Sequence, residues 1–157
     1  MFGNSEYLIK NKKIKLLDRF SADDRIEFLS FGTVKEFNLQ ETIITEKHDD
    51  VNIYLILEGE VSVWRKNLPI FRLKSGEVFN ESKIFYPRTT NTVTVVSEKQ
   101  TLMFIIGRKE VLNYFSLKPE RLFKIFTLNI VSILSKKLEG FEEKIVDLHV
   151  LSHLRSE

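Results

Sequence analysis

The side chains able to do chemistry are few in this chain, and they are scattered. Its three histidines are His48, His149 and His153. The last two stand one helical turn apart, a spacing that brings two imidazoles towards one metal. Asp147 is the only acidic residue near their shared face, so the pair reads as exposed helix surface and no metal site is expected. His48-Asp49-Asp50 lies in a polar turn, where two adjacent carboxylates would leave most positions around a cation to water; it reads as a solvated loop. Cysteine is absent, which removes disulfides, thiolate zinc sites and cysteine-ligated iron–sulfur clusters. No serine elbow, paired-carboxylate signature or glycine-rich nucleotide loop is present, so no enzyme is expected. Lys10, Lys12, Lys13 and Lys15 form the densest basic patch, read as a solvated helix face, with partner docking as the alternative.

The elements that position these residues follow from periodicity. The 157 residues suit one core plus an appendage. With 24 basic and 22 acidic residues the net charge is +2, too small to hold nucleic acid or an anionic membrane. The start lacks the order of a secretion signal and no apolar run is long enough to span a bilayer, so a cytoplasmic location without membrane contact is expected. Tyr7–Phe20 suits a short helix. Ser21 then offers an N-cap hydroxyl, followed by Asp23 and Asp24 and by apolar Ile26, Phe28 and Leu29, predicting a helix that ends near Gly32.

From Thr33 to Ile106, β-branched and aromatic runs alternate with polar or glycine-bearing breaks. Strands are predicted near Val34–Phe37, Thr42–Thr45, Asn52–Leu57, Glu60–Trp64, Ile70–Leu73, Asn91–Val96 and Thr101–Ile106. The clearest hairpin signal is Tyr54 to Trp64, with Glu58-Gly59 supplying positive φ at its turn. Trp64, opposite in parity to Val61 and Val63, is expected to face outward. Many short strands mean a sandwich or barrel. A metal-dependent enzyme of cupin type would need inward histidines, and the strands Asn52–Leu57, Glu60–Trp64 and Asn91–Val96 contain none.

Helical periodicity returns over Lys109–Phe115 and, past Pro119, runs close to the C-terminus. Val131, Leu134, Leu138, Phe141, Ile145 and Leu148 recur at spacings of three and four, the rhythm of a coiled-coil seam, among Lys136, Lys137, Glu139, Glu142, Glu143 and Lys144. A homodimer through this helix is expected. Gly140 within it weakens the helix and marks a bend or a close crossing.

Over about residues 14 to 155 the order and motifs resemble the catabolite-activator and fumarate–nitrate-regulator family. Tyr54-Leu55-Ile56-Leu57-Glu58-Gly59-Glu60-Val61 looks like the family's tyrosine-leucine-isoleucine-x-x-glycine-x-valine segment. Leu73-Lys74-Ser75-Gly76-Glu77-Val78-Phe79-Asn80-Glu81 looks like its leucine-x-x-glycine-acid-x-phenylalanine-glycine-glutamate segment. Arg88-Thr89 stands before Asn91-Thr92-Val93, where the family carries arginine and serine or threonine before a threonine-valine strand. Thr101–Ile106 and the later seam complete the order.

The resemblance implies a mainly β fold with flanking helices: a double-stranded antiparallel β-roll, jelly-roll-like and cyclic-nucleotide-binding-like, plus a long C-terminal dimerisation helix. It implies one effector domain over 1–157, divided into N-terminal helices (1–31), roll (32–107) and C-terminal helices with the seam (108–157). By residue matching, Glu81 takes the ribose-binding role, Arg88 the phosphate role and Thr89 that of a hydroxyl donor. Asn80 stands where the family has the glycine that lets the backbone approach the ligand. Ser82–Pro87 is a couple of residues shorter than usual, and an alignment on Thr92-Val93 puts Thr89, not Arg88, at the phosphate position. Family turn glycines are also missing at Leu39-Gln40-Glu41 and at Glu46-Lys47-His48-Asp49. The implied ligand is cyclic AMP, cyclic GMP or another small anionic effector, and binding shifts how two subunits cross along the seam. DNA would be reached through a helix-turn-helix module outside this sequence, which then reads as the sensor part of a longer transcription regulator. The alternative is a stand-alone divergent module, its pocket altered or vestigial, acting through protein partners.

Overall fold

A computed structural model describes residues 13–87 and 90–155. Eight strands form two four-stranded antiparallel sheets: β1 (Thr33–Phe37), β8 (Thr101–Gly107), β3 (Asn52–Glu58) and β6 (Val78–Phe79) in that order, and β2 (Thr42–Ile44), β7 (Thr94–Ser97), β4 (Glu60–Arg65) and β5 (Leu68–Lys74). The helices are α1 (Ala22–Ser30), α2 (Arg108–Ser116) and α3 (Glu120–Leu154), with short 3-10 turns at Lys15–Leu17 and Glu81–Ile84. The mainly β roll with a long C-terminal helix is the architecture expected from the sequence.

The sheets face one another across a packed interior of Phe37, Tyr54, Ile56, Val61, Val63, Phe79 and their neighbours. A second core joins the outer face of the β1-β8-β3-β6 sheet to the helices. β3 serves both. Ile53, Leu55 and Leu57 face the helices while Tyr54 and Ile56 face the roll interior, which is why its apolar run does not alternate with polar residues. Phe28 of α1 sits at the centre of the second core, its ring 5.2 Å from Tyr114 and 5.8 Å from Phe126. Ser21 caps α1 as predicted, its hydroxyl accepting from the Asp24 N–H at 3.1 Å.

Three local expectations are corrected. Gly59 does not turn a hairpin, because β3 and β4 belong to different sheets; with φ of 108° it makes the corner where the chain crosses between them. A Cβ there would lie 2.8 Å from Thr101 Cα, so the corner requires glycine. The tight hairpin is β4–β5, where Arg65 pairs with Leu68 across Lys66 and Asn67, both at positive φ. That pair of conformations is a type I′ turn, whose twist matches the strands it joins. The helix predicted over Tyr7–Phe20 falls partly outside the described residues, and from Lys13 onward only the turn at Lys15–Leu17 forms. Asp18 is extended and Arg19 has φ of 63°, so the backbone leaves helical space while Ile14, Leu16, Leu17 and Phe20 still reach the core. The strand predicted from Asn91 begins only at Thr94, and the two-residue β6 has no counterpart among the predicted strands. Trp64 is half-buried, and its indole N–H donates to Ser62 Oγ at 2.7 Å.

No helix among the described residues is long and apolar enough to cross a membrane.

A cassette tied to the long helix

The segment after β6 is the short 3-10 turn Glu81–Ile84, entered through Asn80. Asn80 has φ of 62°, the left-handed conformation that asparagine tolerates better than most residues. Its side-chain amide donates to the carbonyls of Asp50 (3.1 Å) and Asn52 (2.8 Å), pinning the start of the cassette to the start of β3. Phe79 stacks on Tyr54 with centroids 4.8 Å apart, and the Tyr54 hydroxyl donates to Asp50 Oδ2 at 2.6 Å. Burial, with the Asp50 bond added, pushes the Tyr54 phenol above its usual range. At the far end the Arg108 side chain donates to the Ile84 carbonyl at 2.8 Å.

Glu81 is 3% exposed. Its carboxylate accepts from Lys137 Nζ of α3 at 2.6 Å, and the same ammonium donates to the Val78 carbonyl at 2.7 Å. The cassette is therefore joined to the long helix by a largely desolvated, charge-assisted bond.

Beside this tie a cleft of about 270 Å³ opens between β5, the Gly76–Val78 turn and α3. Phe71, Leu73, Val78, Ile133 and Phe141 give it an apolar floor. Lys15, Lys136, Lys137, Lys144 and Arg72 stand around it, with Glu77 the single acid of the lining.

A model of the cyclic nucleotide-binding domain matches residues 34–117. The chain belongs to the cyclic nucleotide-binding domain family. Solved members and relatives share the fold at low identity. A cyclic nucleotide-binding domain from Methylobacillus flagellatus superposes with a TM-score of 0.78 at 19% identity, over 92% of this chain and 82% of that one. The catabolite activator protein of Thermus thermophilus gives 0.71 at 17% identity, over 85% of this chain; the match spans 62% of the length of the Thermus protein. The sensor domain of the transcriptional regulator DNR from Pseudomonas aeruginosa gives 0.65 at 15%, over 85% of this chain and 92% of that one. Comparison with curated proteins returns no match.

Of the ligand residues expected in this cyclic nucleotide-binding domain, Asn80 and Glu81 are adjacent at the head of the cassette. Arg88 and Thr89 lie outside the described residues. Of the seam residues, Val131, Leu134, Leu138, Ile145 and Leu148 are exposed, whereas Phe141 is half-buried and meets the Phe71 ring edge-on at 5.2 Å. His149 and His153 are exposed with Nε2 atoms 3.1 Å apart, and no group of three or more metal-binding side chains occurs among the described residues. Lys137 was read from the sequence only as one charge beside the seam. A signal for it existed: Ile133, Lys137, Gly140 and Lys144 recur at spacings of three and four, a second stripe one residue, or about 100°, round α3 from Leu134, Leu138, Phe141 and Ile145.

Proposed function

We propose that this domain is the ligand-sensing and dimerisation part of a transcription regulator of the catabolite-activator and fumarate–nitrate-regulator type. The reading is supported above all by the buried Glu81–Lys137 bond, which connects the cassette directly to the helix that carries the exposed seam. A ligand held by Glu81, Arg88 and Thr89 competes for the Glu81 carboxylate, loosens Lys137 and shifts the balance between two settings of α3. Asn80 sets the backbone from which Glu81 is presented. The effector is a cyclic nucleotide, cyclic AMP or cyclic GMP, or another small anion of similar reach. Two copies pair along Val131, Leu134, Leu138, Ile145 and Leu148, with Phe141 at the edge of the interface. DNA is contacted through a module that this sequence does not include, and the domain senses in the cytoplasm rather than catalysing.

Titration calorimetry with cyclic AMP and cyclic GMP on the wild type, Arg88→Ala and Glu81→Gln tests the ligand. Binding by the wild type that falls about tenfold or more in both variants is expected. Tight binding untouched by either substitution refutes the residue roles, and no binding of either nucleotide refutes the nucleotide as effector.

A further inference from the structure

We propose that His149 and His153, at the end of α3, form a two-nitrogen chelate for a divalent transition-metal ion of the zinc class, and that the bound ion staples the last turn of the helix. The site goes beyond the sensing and dimerisation reading, since it uses no residue of the cassette and none of the seam.

The two rings hang one turn apart from the continuous helical backbone of α3, which fixes their spacing before any ion arrives. Their centroids are 4.6 Å apart but their Nε2 atoms only 3.1 Å, so each ring turns that nitrogen towards the other. Zinc–imidazole bonds are about 2.0–2.1 Å long, so two nitrogens on one ion lie about 2.8–3.0 Å apart at a right angle and about 3.3–3.4 Å apart at the tetrahedral angle. The observed separation falls between the two, and a movement of about 0.3 Å suits either geometry. The ring planes cross at 83°, and crossed planes share a line on which one ion can lie in the plane of both rings.

Nothing else in the fold uses the pair. Both rings are exposed, and among the described residues each is the only side-chain partner of the other. A hydrogen bond between two neutral rings in water is weak, because water competes for both nitrogens. An ion bonds both lone pairs at once, and the helix has already brought them together. The spacing alone reads as exposed surface; the convergence of the two Nε2 atoms is what the structure adds.

The donors define the class of ion. Imidazole nitrogen suits zinc, copper and nickel, whereas calcium and magnesium take oxygen ligands. No third histidine, aspartate or glutamate joins the pair among the described residues. Two protein donors are fewer than the three of a catalytic zinc site or the four of a structural one, so water fills the remaining positions and the ion exchanges. Hydrogen bonds at a helix end open readily, and an ion that bridges residues four apart binds only while that turn is formed. Metal occupancy therefore holds the exit of α3 closed.

The test titrates zinc chloride into the whole chain by calorimetry, with magnesium chloride as the control. One zinc per chain is expected, with no binding of magnesium, and affinity about tenfold or more weaker in His149→Gln and in His153→Gln. The variant Leu151→His/His153→Gln keeps three histidines but sets two of them on different sides of the helix, and is expected to bind as weakly as the single variants. His48→Gln is expected to bind as the wild type does. At saturating zinc, amide exchange from Leu151 to Leu154 is expected to slow about tenfold in the wild type and not in the variants, whose helicity is retained by circular dichroism. Zinc binding unchanged by either single substitution, or kept by the variant with shifted spacing, overturns the chelate, as does a wild type that binds no zinc or binds it through His48. Exchange unaltered by saturating zinc overturns the staple.

Discussion

Three residues other than glycine hold left-handed backbone within stretches where the resemblance implies a glycine: Gln40 at φ 63°, Lys47 at 69° and Asn80 at 62°. At Asn80 the side chain repays the strain by bonding to the Asp50 and Asn52 carbonyls. Gln40 and Lys47 are exposed side chains in turns closed by backbone bonds, Gln40 N–H to Ser97 O at 2.7 Å and Lys47 N–H to Asn91 O at 2.9 Å. Replacing either by glycine is expected to raise stability by about 0.5–1 kcal/mol, the relief of left-handed strain less the added freedom of the unfolded chain. Urea midpoints measure it. The Glu81–Lys137 pair makes the opposite prediction. Lys137→Met leaves a buried carboxylate without its partner and is expected to cost about 3 kcal/mol, of which the double variant Glu81→Gln/Lys137→Met recovers a substantial part. Recovery in the double variant, read from the same midpoints, is what separates charge burial from lost packing.

Among the elements, α1 is anchored electrostatically at its start. The Ser21 hydroxyl, bonded to Asp24 Oδ2 at 2.7 Å, and then Lys118, at 3.0 Å from Oδ1, hold the Asp24 carboxyl below its usual range. Its folded-state pKa lies beneath the unfolded value, so the stabilisation is present above about pH 4 and is lost as pH falls through the lowered folded value. Thermal melts of the wild type and Asp24→Asn are therefore expected to differ at pH 7 and to converge near pH 2. A constant gap across that range contradicts the assignment. The same element was legible in the sequence because its cap and first-turn acids act within a few residues. The corner at Gly59 was misread for a related reason: positive φ is a local property that the sequence displays, whereas the partner of β3 is set by residues some fifty positions away in β8. The true hairpin escaped because Lys66-Asn67 lacks the glycine that usually marks a type I′ turn. In α3 the apolar seam masked the second stripe. Lys137 and Gly140 have no apolar signature, and their importance comes from the strand and turn they face.

For the molecule as a whole, α3 spends its first half on the roll and exposes the rest. Beyond Phe141 every described residue of α3 is exposed, including Ile145, Val146, Leu148, Val150, Leu151 and Leu154. Apolar area of that extent on the exposed half of a helix fits a second copy. The melting temperature of the wild type is accordingly expected to rise with protein concentration, and Leu138→Glu to abolish that dependence and halve the mass seen by light scattering. A concentration-independent melt of the wild type would falsify the dimer.

The strand order also dictates when the protein can fold. β8 is the central partner of both β1 and β3, pairing Thr33 with Ile105 and Tyr54 with the same residue on its other edge. A nascent chain leaving the ribosome therefore cannot complete the β1-β8-β3-β6 sheet until Gly107 has emerged: before then β1 has no partner and β3 has only the two-residue β6, whereas the β4–β5 ribbon, and then β7 with β2 and β4, can close earlier. Loop-closure entropy makes such distant pairing slow. Chaperone capture during synthesis is then expected to peak on chains that end between β3 and β8, and to fall once β8 is free of the exit tunnel.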